Sequence, residues 1–223
     1  MKYNLLEPKL ENKILKQTKK MVCPDQVKYR IINGKPRQYK DEDIKDVDYE
    51  SVVFKRGIVI VLESPHKKEY KELNKIGPAK GKTGKNITKF LEEVLKSSKD
   101  VWHIVEGSDF ELIIANAVQY QCSKGKDLRG KNNRENSKNR DYRFIKYILE
   151  GCGKDLEERI RLLEPVLVIN ACSTSNCFNA VVEWYLQRQC RKIGAVYAAV
   201  NHPITWNNTT RLFRTKVVKT NFH

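Results

Sequence analysis

"IVIVLESPHKKEY", residues 58–70, decides the fold. Five apolar residues, Ile58 to Leu62, stop abruptly at Glu63-Ser64-Pro65-His66. An unbroken apolar run of this length, so sharply bounded, predicts a strand buried on both faces. Counted with Gly57 as "GIVIVL" (57–62), it is the first of four such runs. The others are "FELIIANAV" (110–118), "PVLVIN" (165–170) and "GAVYAAV" (194–200). Helix-like stretches separate them: "NITKFLEEVLKSS" (86–98), "RDYRFIKYILEGC" (140–152) continuing into "DLEERIRLL" (155–163), and "CFNAVVEWYLQRQC" (177–190). Alternating apolar strands and helices predict the α/β class, as a three-layer αβα sandwich around a central, mostly parallel four-stranded sheet. Residues 1–50 are polar by comparison. Leu5, Leu10, Ile14 and Leu15 suggest one amphipathic helix, followed by an irregular stretch. The expected organisation is therefore a basic, partly helical N-terminal extension, 1–50, packed on an α/β domain, 51–223.

In such sheets ligands sit beyond the carboxyl ends of the strands. Glu63, Ser64, Pro65 and His66 follow the first run and Asn116 ends the second. Asn170, Cys172 and Ser173 follow the third, and Asn201, His202 and Pro203 the fourth. Each has a plain structural alternative: Glu63 a solvated cap, Asn116 a turn residue, His202-Pro203 an ordinary loop. Their joint placement on one sheet edge favours acid–base chemistry.

The 223 residues carry 43 Lys and Arg against 27 Asp and Glu, a net charge of +16. That balance favours an anionic polymer as partner, most simply nucleic acid. Two segments concentrate it. "IGPAKGKTGKN" (76–86) has three glycines and, with Lys75, four lysines ahead of a helix. Glycine permits close backbone approach, and a helix N-terminus favours phosphate. The spacing is not that of a P-loop. "CSKGKDLRGKNNRENSKNRDYR" (122–143) reads as a second basic, exposed loop. No stretch of 18 apolar residues occurs, so no membrane span is expected. The first twenty residues lack the apolar core of a secretory signal. The six cysteines form no Cys-x-x-Cys pair. A cytoplasmic protein with reduced thiols and no metal is the expectation.

Taken in order, these pieces resemble the uracil-DNA glycosylase superfamily over roughly residues 55–220. "LESPHKKEY" is similar to the first motif, G-Q-D-P-Y-H or G-E-A-P-G in that superfamily. "LIIANAVQYQC" is similar to a strand ending in a base-reading Asn. "NHPITWNNTTR" is similar to H-P-S with its wedge loop. The resemblance implies a monofunctional DNA glycosylase, a monomer without cofactor, that flips and excises a base. Glu63 and Ser64 would position the attacking water, and His202 would stabilise the departing base. Asn116 would read the base edge, with His66 beside it. Lys80, Lys82 and Lys85, together with Trp206 and Arg211, would contact DNA. Trp206 stands at the offset of the family's intercalating residue; Ile204 competes for that role, and core packing is the bland reading of Trp206.

The sequence also departs from the pattern. Ser64 stands where the most efficient branch has its water-activating Asp, leaving Glu63 as the carboxylate at hand. Leu62 replaces the leading Gly, and His66 replaces Tyr or Gly. Ala79 and Lys80 stand where a stacking Phe is usual, and Ile204 replaces the Ser of H-P-S. These changes point away from a uracil pocket and toward a damaged or modified base, in repair or in defence against foreign modified DNA. The alternatives are a catalytically weak nucleic-acid-binding module on the same fold, motivated by Ser64, and a metal-dependent nuclease. The nuclease would need more strand-end carboxylates than Glu63.

Overall fold

The computed structural model describes residues 22–51, 56–70, 76–122, 133–173 and 178–208. The expected amphipathic helix near the N-terminus, Arg211 and residues 123–132 of the basic segment 122–143 lie outside them; the segment's second half, read as loop, starts a helix at Asn133.

The four apolar runs form strands β4 (Ile58–Leu62), β5 (Asp109–Asn116), β6 (Leu167–Asn170) and β7 (Val196–Ala199). β4 is flanked in parallel by β5 and β6, and β6 by β7. All five residues of β4 are buried because helices cover both sides of it. Ile58, Ile60 and Leu62 face one core, under α1 (Lys82–Lys96) and α2 (Lys99–Val105). Val59 and Val61 face the other. That second core lies under α3 (Asn133–Tyr147), α4 (Gly153–Leu163) and α5 (Phe178–Ile193). In α1 the buried positions Ile87, Leu91, Val94 and Leu95 repeat at helical spacing, so one stripe meets the sheet. Ser98 starts α2 by accepting the Val101 N–H.

The four-stranded, mostly parallel sheet expected from the sequence is corrected here: the sheet has seven strands and is mixed. The extra strands come from a stretch read as irregular. They are β1 (Gln26–Ile32), β2 (Lys35–Gln38) and β3 (Lys45–Asp46). β1 lies antiparallel along the free edge of β5 and pairs with both β2 and β3, giving the order β2-β1-β5-β4-β6-β7. The signal was present as Asn33-Gly34, both at positive φ, in the two-residue turn that suits a hairpin. Trp102 packs against the turn; a Cβ on Gly34 would lie 2.5 Å from its ring.

A bulge falls between Val27 and Tyr29. Residues two apart in a strand normally share a face. Here Val27 enters the core beneath α3–α5 while Tyr29 enters the core beneath α1. The displaced residue, Lys28, is 7% exposed, and its ammonium donates to the Pro78 carbonyl. The bulge thus aims a lysine at the glycine-rich loop.

Candidate active site

The parallel strands deliver their ends to one edge of the sheet, with Leu62 level with Asn116 and Asn170 level with Ala199. Glu63 follows β4 directly. It is 9% exposed, and burial pushes its carboxyl up; Arg140 opposes that shift and Asp141 reinforces it. The Arg140 Nε lies 3.9 Å from Glu63 Oε1. Ser64 is half-buried and shares a hydrogen bond with the buried Cys122 thiol. Pro65 is buried and His66 is exposed.

Asn116 is 1% exposed. Its backbone is held from two sides: the N–H donates to Asp25 Oδ1 at 3.4 Å, and the carbonyl accepts from Arg159 Nη2 at 3.1 Å. Its Nδ2 donates to the Cys23 sulfur at 3.6 Å, while its Oδ1 has no hydrogen-bond partner among the described residues. A buried acceptor without a donor costs about 1–3 kcal/mol. Burial, reinforced by Glu69 and Asp25, drives the Cys23 thiol well above its ordinary range, so it stays protonated.

His202 follows β7 and is half-buried. Its Nδ1 accepts the Ile204 N–H at 3.2 Å. A ring nitrogen that accepts carries no proton, so this bond selects the neutral tautomer with its hydrogen on Nε2. The loop is pinned from below, where Asn86 Nδ2 of α1 donates to the Pro203 carbonyl at 2.8 Å. Trp206 is 3% exposed, belongs to the core with α1, and donates its indole N–H to the Asn201 carbonyl at 2.7 Å. Its expected place as a DNA wedge is therefore corrected: the ring is a fastening of the loop. Ile204 is 45% exposed in the same turn. Asn170 is spent internally, on Asn179, Tyr197 and the Cys172 N–H.

Lys80, Lys82 and Lys85 are exposed on the glycine-rich loop and the first turns of α1. This helix starts at Lys82, four residues before the expected Asn86, from Gly81, which offers no side-chain cap. Ala79 holds φ +59, a left-handed conformation that costs a non-glycine residue about 1–2 kcal/mol. Gly84 permits the approach, since a Cβ there would lie 1.7 Å from the Ala79 carbonyl oxygen.

What holds Ala79 in place is Glu69, which the motif reading passed over. Its carboxylate accepts the His66 N–H at 2.8 Å and the Ala79 N–H at 2.6 Å, joining the first motif to the glycine loop. The Glu69 N–H in turn donates to the His66 carbonyl. This is the back-reaching half of a capping box, and the three-residue spacing His66 to Glu69 was its signal. Burial pushes Glu69 up to about 7 and Lys28 down to about 8.

Among the described residues, no group of three His, Cys, Asp or Glu side chains is placed to hold a metal ion. Among them, no helix is long and apolar enough to cross a membrane. The five described cysteines are thiols and not disulfides. No family model matches this chain, and no curated protein matches its sequence.

Proposed function

We propose that the protein is a DNA glycosylase, a divergent member of the uracil-DNA glycosylase superfamily. It flips a damaged or modified base and hydrolyses its N-glycosidic bond, leaving an abasic site. The observation that carries this is the set of complementary states at the ends of three parallel strands. Glu63 has a carboxyl raised by burial, Asn116 an acceptor unsatisfied among the described residues, and His202 a ring whose accepting Nδ1 leaves its hydrogen on Nε2.

In the reaction a water oxygen bonds to the sugar C1′ as the C1′–N bond breaks. The base departs with the bonding electron pair. Glu63 accepts the water proton, and a raised carboxyl is the better base for it. His202 Nε2–H donates a hydrogen bond to the base as it becomes an anion. Asn116 Oδ1 accepts an N–H of the flipped base, and Nδ2 exchanges its weak bond with Cys23 for a base carbonyl. Base binding therefore displaces the Cys23 segment. Ile204 takes the wedge position that Trp206 leaves vacant.

The test is a screen of duplexes carrying uracil, other deaminated bases and modified pyrimidines, with alkaline cleavage of abasic sites. Excision of a modified pyrimidine is expected, and its loss in His202→Ala. Robust excision of uracil and nothing else removes the modified-base part of the reading. No abasic product from any substrate leaves the second reading, a catalytically weak nucleic-acid-binding module. That reading is favoured by the sealed amide of Asn116 and by the engagement of Ser64 with Cys122.

A further inference from the structure

A groove of about 1280 Å³ runs between the β1–β3 strands and the glycine-rich loop with the start of α1. It exceeds the roughly 300–1,000 Å³ of small-molecule sites, and charged and polar side chains share its lining with Val22, Ile44 and Ile76. Lys28, Lys45, Lys80 and Lys85 line it, against two acids, Asp41 and Asp46. Asp46 is already engaged by the Gln26 side-chain amide at 2.7 Å. Gly81 and Gly84 also line it, so the uncapped end of α1 opens onto it, with no acid in its first turn. Tyr29 OH, Thr88 Oγ1 and Gln38 Oε1 form a short hydrogen-bonded chain between the β1–β2 strands and α1.

We infer that this groove is a track for one strand of DNA, held by its phosphodiester backbone on Lys45, Lys80 and Lys85. The inference rests on the glycosylase reading for the choice of DNA. It carries the footprint onto β3, which neither the strand-end motifs nor the glycine loop reach. A large channel with lysines on two walls, whose lining aromatic, Tyr29, has its hydroxyl tied to Thr88, suits a repeating anion better than a base or a metabolite. Lysines on two walls grip successive phosphates, and the α1 amides add partial positive charge between them.

The test is fluorescence anisotropy with a labelled single-stranded DNA oligonucleotide and its duplex, from 50 to 200 mM KCl. Lys45→Glu and Lys85→Glu are expected to weaken binding ~10-fold each at the lowest salt. Each should flatten the log Kd against log salt slope by about 0.7–0.9. Lys154→Glu and Lys192→Glu, exposed on the helices of the other sheet face, match the charge change and are expected to shift Kd less than about 2-fold. Equal losses in all four variants would reduce the effect to net charge and overturn the track. So would unchanged binding by Lys45→Glu with its melting temperature intact. Tenfold tighter binding of an RNA oligonucleotide of the same sequence would overturn the choice of DNA. Excision assays separate this from the glycosylase reading. Groove variants that raise KM and keep kcat support both. Loss of binding in the variants, with no excision by the wild type, overturns the enzyme and leaves the track. Excision with unchanged KM in the variants overturns the track alone.

Discussion

The sheet-edge positions of Glu63, Asn116 and His202 were legible because a continuous apolar run announces where its strand ends, and polar residues just beyond it fall on the sheet edge. What each does there was less legible, because burial of a polar group depends on partners far along the chain. Asn116 meets Cys23 and Asp25 from more than ninety positions away. Trp206 illustrates the same point in reverse: its offset from His202 matched a wedge, but the turn it belongs to folds the ring inward onto α1. Replacement of Glu63 by Gln separates catalysis from stability. The amide keeps the shape and cannot accept the water proton, so kcat is expected to fall ~10²–10⁴-fold. The folded carboxyl is raised, so the unfolded chain ionises first as pH rises, and ionisation of Glu63 disfavours the fold. Glu63→Gln is therefore expected to leave the melting temperature at pH 7.5 unchanged or higher. A variant that loses activity and stability together would assign Glu63 a structural part only. The Glu69–Lys28 pair gives a second titration. Glu69, up at about 7, contributes stability that is present below the ordinary carboxylate range and lost as pH rises to about 7. Lys28, down at about 8, contributes stability that grows as pH climbs from about 8 through the ordinary lysine range. Urea titrations of wild type against Glu69→Gln and Lys28→Met from pH 5 to 10 should remove these two limbs one at a time. Identical pH profiles in all three proteins would show that neither group titrates in the folded state.

At the scale of elements, β1 does more than extend the sheet. Asp25, the residue just before it, braces the end of β5: it accepts from Arg159 Nη1 at 2.6 Å, from Tyr49 OH at 2.5 Å and from Gln119 Nε2 at 3.1 Å. Arg159, on α4, is fully engaged, with Asp155 at 2.9 Å and two backbone carbonyls of the Asn116-Ala117 corner. Both partners of the Asp25–Arg159 pair are buried, so removing one strands a charge, at a cost of about 3–5 kcal/mol. Asp25→Ala and Arg159→Ala are each expected to show that loss in urea unfolding, and the double variant to lose much less than the sum. Additive losses would mean that the pair does not act as a unit. Sequence reading missed this element for a physical reason. A strand buried on both faces reads as a solid apolar block, whereas β1 alternates, polar at Gln26, Lys28 and Arg30 and apolar at Val27, Tyr29 and Ile31. That alternation and the Asn33-Gly34 turn were its signals, and neither is a continuous apolar run.

Across the whole molecule, the same excess of positive charge acts on two equilibria in opposite ways. A net charge of +16 repels itself in the compact state, and salt screens that repulsion over a Debye length of about 10 Å at 0.1 M. The exposed ion pairs, such as Arg161–Glu158 and Lys96–Glu92, are local i,i+3 and i,i+4 contacts worth little each, so screening them loses little. KCl from 20 to 300 mM is therefore expected to raise the melting temperature of the free protein. DNA binding runs the other way, because the released counterions are less valuable in high salt. A DNA oligonucleotide present at about 100 times its Kd stabilises the fold by about 2.7 kcal/mol. For a chain of this size that is a rise of roughly 5–10 °C at low salt. At 300 mM KCl the same oligonucleotide concentration is expected to give almost none of that rise, so the curves with and without DNA converge. Calorimetric scans at the two salt concentrations decide it. A melting temperature that falls with salt would mean that attraction between charges outweighs repulsion in the folded chain. A DNA-induced rise that persists at 300 mM would mean that recognition rests on the base pocket more than on the phosphates.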